Sequence, residues 1–148
     1  MVLSSRALLV LSAFAALAAP LHAQIAEARI GNLAVFGASA RATPPGASVG
    51  AIYFTIKNTG STSDSLESVS TPAARSVQLH ATSLVNGMMQ MREVKAVECP
   101  PGVTVKAEPG GLHVMLIGLA APLTLGKTIE VSLKFHAAGV LTLKVPVT

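Results

Sequence analysis

Ile129-Glu130-Val131-Ser132-Leu133-Lys134-Phe135 alternates apolar and polar residues, and so does Leu141-Thr142-Leu143-Lys144-Val145 after the turn-forming Ala137-Ala138-Gly139. A period of two is the mark of a strand with one buried and one solvated face. The same signal recurs upstream. Ala51-Ile52-Tyr53-Phe54-Thr55-Ile56-Lys57 is rich in β-branched and aromatic residues and ends in Asn58-Thr59-Gly60. Val77-Gln78-Leu79-His80-Ala81-Thr82 and Val103-Thr104-Val105-Lys106 also alternate. Pro44-Pro45-Gly46, Asn86-Gly87, Pro100-Pro101-Gly102 and Pro109-Gly110-Gly111 punctuate them. Short strands at this spacing predict an all-β sandwich or barrel. Residues 24–48 are less regular; the reading there is one strand over Arg29 to Phe36, then a loop.

Composition narrows the function. Of 148 residues, 51% are hydrophobic and 12% charged, so the chain has material for a core and is not disordered. Aromatics are 3%, and the core must be built from aliphatic side chains. The net charge of +4 comes from Lys and Arg spread singly, which argues against a nucleic-acid binder. One cysteine excludes an internal disulfide framework and any site built on several thiolates. No nucleophile elbow, HExxH, paired-carboxylate or phosphate-loop pattern is present, and no enzyme is expected. At the N-terminus, Arg6 precedes an apolar run from Ala7 to Ala19, then Pro20 and small residues. This reads as a secretory leader over 1–23, cleaved after Ala23 or alternatively after Ala18. The run is too short for a membrane span. Residues 24–148 are then one exported domain, expected in the periplasm without stable membrane insertion. No cysteine lies near either cleavage point, so a lipid anchor is not expected.

The chemistry-bearing residues gather in one stretch. The methionines beyond the leader are Met88, Met89, Met91 and Met115, and its histidines are His80, His113 and His136. Asn86-Gly87 is the strongest short hairpin signal, because both turn positions need positive φ. With these two at the tip, Val85 faces Met88, Leu84 faces Met89, Thr82 faces Met91 and His80 faces Glu93. His80, Thr82, Leu84, Met89, Met91 and Glu93 then share a face, with His80 and Met91 as diagonal neighbours. Met88 points the other way and is read as packing. On Leu112-His113-Val114-Met115-Leu116, His113 and Met115 share one face, and Leu112, Val114 and Leu116 form the buried one. Two readings stand side by side. Each His/Met pair is ordinary packing and surface, or the two pairs converge into one two-histidine, two-methionine site.

Neutral thioether sulfur is soft and favours Cu(I) over hard cations, while imidazole suits copper, zinc, nickel and iron. Together they point to Cu(I). Glu93 opposite His80 leaves weak zinc binding open. Cys99 is the one thiolate a blue-copper carrier could use, but its next histidine lies beyond a Pro-Pro-Gly turn. Cys99 itself is read as an unpaired strand-end thiol, with an auxiliary copper ligand or intermolecular disulfide as the alternative. His136 is read as a surface residue, and Met89 as the understudy of Met91.

His80, ten residues, Met91, twenty-one residues and His113-Val114-Met115 resemble the signature of the periplasmic copper chaperones of the PCu(A)C family. Ala51-Ile52-Tyr53-Phe54 with Asn58-Thr59-Gly60, Thr71-Pro72-Ala73-Ala74 and the Pro-Gly-Gly before the last motif are similar too, so the likeness spans about 46–147. It implies a cupredoxin-like Greek-key β-sandwich holding one Cu(I) on His80, Met91, His113 and Met115. It further implies delivery to the binuclear copper site in subunit II of cytochrome c oxidase, or to a Sco-type thiol protein. Some members carry a His- and Met-rich tail for a second copper. This sequence ends Val145-Pro146-Val147-Thr148, so one site is expected. Protonation of His80 and His113 at low pH is expected to weaken it, since an imidazolium cannot ligate. The alternative is a metal-free exported β-sandwich that serves as a binding or assembly module.

Overall fold

The computed structural model describes residues 27–148; the expected leader lies outside the described residues. Eleven strands follow in order: β1 (Ala28–Ile30), β2 (Leu33–Ala40), β3 (Val49–Asn58), β4 (Asp64–Ser70), β5 (Ala74–Val85), β6 (Met88–Glu93), β7 (Val97–Cys99), β8 (Thr104–Ala107), β9 (His113–Leu119), β10 (Thr128–Phe135) and β11 (Gly139–Pro146). They form two antiparallel sheets. The larger runs β1-β2-β3-β9-β5-β6, with β8 also paired to β3; the smaller runs β11-β10-β4-β7. The chain crosses repeatedly between the sheets, and the fold is the expected cupredoxin-like Greek-key β-sandwich. Among the described residues no helix is long and apolar enough to cross a membrane.

The period-two pattern is what builds the core. Ile52, Phe54 and Ile56 of β3 and Val114 and Leu116 of β9 are buried from the larger sheet. Val131, Leu133 and Phe135 of β10 and Val145 of β11 meet them from the smaller one. Burying such side chains stabilises the fold by roughly 1.5–3 kcal/mol each. Alternation in strands leaves the opposite faces free. On β5 and β9 those free faces carry Gln78, His80, His113 and Met115.

Residues 29–48 differ from expectation. Arg29 to Phe36 is not one strand: Gly31 and Asn32 turn β1 back onto β2, pairing Ile30 with Leu33. β2 then continues past Phe36 to Ala40 where a loop was expected. The reason is a bulge. Gly37 takes φ +64°, and the register against β3 shifts between Phe36 and Ser39, which erases the alternation a strand reading relies on. β4 is hidden in the sequence by a second irregularity. Its buried residues Leu66 and Val69 are three apart, because the register against β10 shifts between Lys134 and Phe135.

Candidate metal centre

The Asn86-Gly87 turn has both residues in the left-handed region, φ 50° and 78°. That is the primed turn whose twist suits a hairpin. It sets the expected register: His80 opposite Glu93, Thr82 opposite Met91, Leu84 opposite Met89, Val85 opposite Met88. β5 carries this hairpin on one edge and pairs with β9 on the other, where His80 stands directly opposite His113 and Gln78 opposite Met115. One face of β6-β5-β9 therefore holds Met91, His80, His113 and Met115. The two imidazole rings are 5.7 Å apart, centroid to centroid, and tilted by 52°. One ion bonded to both at about 2 Å, the usual metal–imidazole length, can bridge rings at that spacing.

Hydrogen bonds orient both rings. His113 Nδ1 lies 3.0 Å from the Gly111 carbonyl oxygen, an acceptor, so Nδ1 carries the hydrogen and Nε2 keeps its lone pair. His80 Nε2 lies 2.8 Å from Gln78 Oε1. His80 Nδ1 is buried and is the one buried side-chain nitrogen or oxygen without a partner among the described residues. A metal-ligating histidine characteristically donates its other ring N–H to such an acceptor. Gln78 and the Gly111 carbonyl were not singled out from sequence. Gln78 could have been, since it lies two residues before His80 and so shares its face.

The methionines divide by exposure. Met91 is 55% exposed on the edge strand β6, whose six residues are all exposed. Met115 is half-buried on β9. Met88 and Met89 are 64% and 65% exposed, so Met88 is not the packing residue expected. Glu93 does face His80, yet no three of the His, Cys, Asp and Glu side chains among the described residues gather into a cluster. Zinc is therefore offered no ready cluster of its usual ligands among the described residues. Soft sulfur is the donor this face offers.

Other candidates lie elsewhere. Cys99 ends β7 in the smaller sheet and is 0% exposed. Burial, with the Asp64 and Glu98 charges nearby, pushes its thiol pKa up. It is remote by topology from the histidine face and closed to an intermolecular disulfide. His136 is exposed, as expected, and donates Nδ1–H to Glu67 at 2.7 Å. That hydrogen bond and the Glu67 charge hold its imidazole pKa above the ordinary value.

Solved structures share this architecture. A copper-bound PCuAC domain from PmoF2 superposes with a TM-score of 0.71 at 27% identity, covering 82% of this chain and 97% of that one. An apo PCuAC domain from PmoF1 gives 0.73 at 27%, covering 83% and 98%. CuI-DR1885 from Deinococcus radiodurans gives 0.65 at 31%, covering 85% of each. The fold and these neighbours define the class, a PCuAC-type β-sandwich domain. Residues 33–147 match the family model described as "Putative lipoprotein LpqE-like", and the chain belongs to that family. A curated relative, "Putative lipoprotein Lxx21020" of Leifsonia xyli subsp. xyli (strain CTCB07), is 40% identical over 103 residues. The match covers 69% of this chain and 62% of that relative, so the chain spans about three fifths of its length.

Proposed function

We propose that this protein is an exported copper carrier, not an enzyme, that holds one Cu(I) on His80, Met91, His113 and Met115. The observation that carries the reading is the direct pairing of His80 with His113 on a face that also bears both methionines. Copper-bound and CuI forms of structurally similar domains support it. All four ligands are neutral, so the complex keeps a single positive charge. An acceptor offering thiolates binds Cu(I) more strongly, which sets the direction of transfer. Met91 is the exposed ligand on the edge strand, and Met115 and the histidines are half-buried. Met91 is therefore the ligand that an incoming donor atom replaces first, while the other three retain the ion through a shared intermediate.

The periplasm is the proposed compartment, and the proposed acceptor is the binuclear copper site of cytochrome c oxidase, reached directly or through a Sco-type thiol protein. The test is an anaerobic Cu(I) titration against a coloured competing chelator, run beside Met91→Ala and His113→Ala. One-to-one binding that collapses in both variants is expected. Failure to compete, or binding indifferent to both changes, leaves the alternative of a metal-free exported sandwich.

A further inference from the structure

The two histidines that face each other are not held alike. His113 gives Nδ1–H to a main-chain carbonyl of its own approach loop, so its distal nitrogen Nε2 is free. His80 is held the other way round, with Nε2 at 2.8 Å from Gln78 Oε1. An amide oxygen only accepts, so Nε2 carries the hydrogen and the lone pair resides on Nδ1. That Nδ1 is buried and partnerless. Turning the Gln78 amide over would place a hydrogen on Nδ1 with no acceptor for it. The observed arrangement instead leaves a lone pair, which a bound cation can satisfy. Gln78 also stands directly across from Met115, so it neighbours both His80 and one of the proposed sulfur donors.

From this geometry we propose that Gln78 is a positioning residue that holds His80 in the Nε2–H form. Nδ1 is then the metal-facing nitrogen of His80, whereas His113 uses Nε2. This rests on the copper reading above and deepens it. The consequence is a site with one short-armed and one long-armed imidazole. His80 would offer the ion its proximal nitrogen from β5, and His113 its distal nitrogen from β9. Partners of this kind, one shell behind a ligand, are worth about ten- to a hundredfold in metal affinity.

The test combines two readouts on the wild type, Gln78→Leu and Gln78→Glu. Long-range proton–nitrogen correlation spectra of the nitrogen-15-labelled protein, in mildly alkaline buffer, report which ring nitrogen is protonated. Anaerobic competition titration reports Cu(I) affinity. In the metal-free wild type, His80 is expected as the Nε2–H form, and Cu(I) is expected to shift the His80 Nδ1 and His113 Nε2 resonances. Gln78→Glu keeps an acceptor and is expected to keep the form and the affinity. Gln78→Leu is expected to give mixed forms and to lose about ten- to a hundredfold in affinity. An Nδ1–H form of His80 in the wild type overturns the inference. So does a Gln78→Leu variant that binds Cu(I) as tightly as wild type or more so, since Gln78 is then a competitor for the ligating nitrogen. If Gln78→Leu fails to fold, the wild-type spectra with and without Cu(I) decide alone. A wild type that binds no Cu(I) overturns the copper reading itself, which separates the two failures.

Discussion

Gly87→Ala tests the link between turn geometry and the metal face. Gly87 has φ 78°, and a Cβ built there meets nothing within 4 Å. The cost of the substitution is therefore torsional alone, about 1–2 kcal/mol for an L-residue in the left-handed region. It falls on the hairpin and not on the core, because all six residues of β6 are exposed. A lone pair of strands is marginal in water, so the β6 edge has little reserve with which to absorb the loss. Apparent affinity falls with the fraction of molecules whose site is formed. Cu(I) binding should then weaken by up to roughly five- to thirtyfold, the equivalent of 1–2 kcal/mol. The assay pairs the anaerobic chelator competition with amide hydrogen exchange. Exchange in Met88–Arg92 should quicken by a similar factor while the amides of β10 keep their protection. Asn86→Gly, which leaves both turn positions permissive, should keep both properties. Faster exchange in β6 with unchanged copper affinity would refute the reasoning, because Met91 would then not be held by this register. A loss far beyond a hundredfold would also refute it, since torsion at one turn residue cannot supply that much.

Met88→Ala should leave Cu(I) affinity unchanged in the same competition assay, because Met88 points away from the face that Met91 shares with His80. Asp64 is expected to shape the acid limb of stability. Burial alone would raise its carboxyl, but the N–H groups of Ala137, Ser65 and Ala138 outweigh it, aided by the His136 charge, and hold the pKa below the ordinary value. A lowered folded pKa gives stability that is present above the unfolded value, about 3.9, and lost as pH falls through the folded one. Urea midpoints should drop over that acid range, and Asp64→Asn should flatten the dependence. Cys99 should react with an aromatic disulfide reagent only after unfolding, since it is 0% exposed and burial raises its pKa; prompt labelling of the native protein would contradict its placement. Leu133→Ala should cost about 2–5 kcal/mol in denaturant unfolding, as expected for a fully buried leucine whose loss leaves a cavity.

How much of this was legible in the sequence depends on the range over which each interaction acts. The β5–β6 register was legible residue by residue, because a two-residue turn with both positions at positive φ is decided by Asn86-Gly87 alone. The buried face of β9 was legible for the same local reason, with Val114 and Leu116 alternating against His113 and Met115. Bulges conceal the rest. Gly37 and the shift opposite Phe135 each break a period of two, so alternation marks neither the end of β2 nor β4. The convergence of the two His/Met pairs lay beyond local reasoning altogether. It requires β9, which follows β5 and β6 in sequence, to insert between β3 and β5, and no alternation pattern states which strand pairs with which. Only the long-range spacing resemblance pointed there. The pairing has a consequence that four separate ligands on loops would not have. His80 and His113 are cross-strand partners, so their separation is set by the ladder hydrogen bonds of the sheet. Met91 instead rides on an exposed edge strand. In the proposed carrier, a histidine pair fixed by the sheet beside an exposed thioether would retain the ion while that one ligand is exchanged.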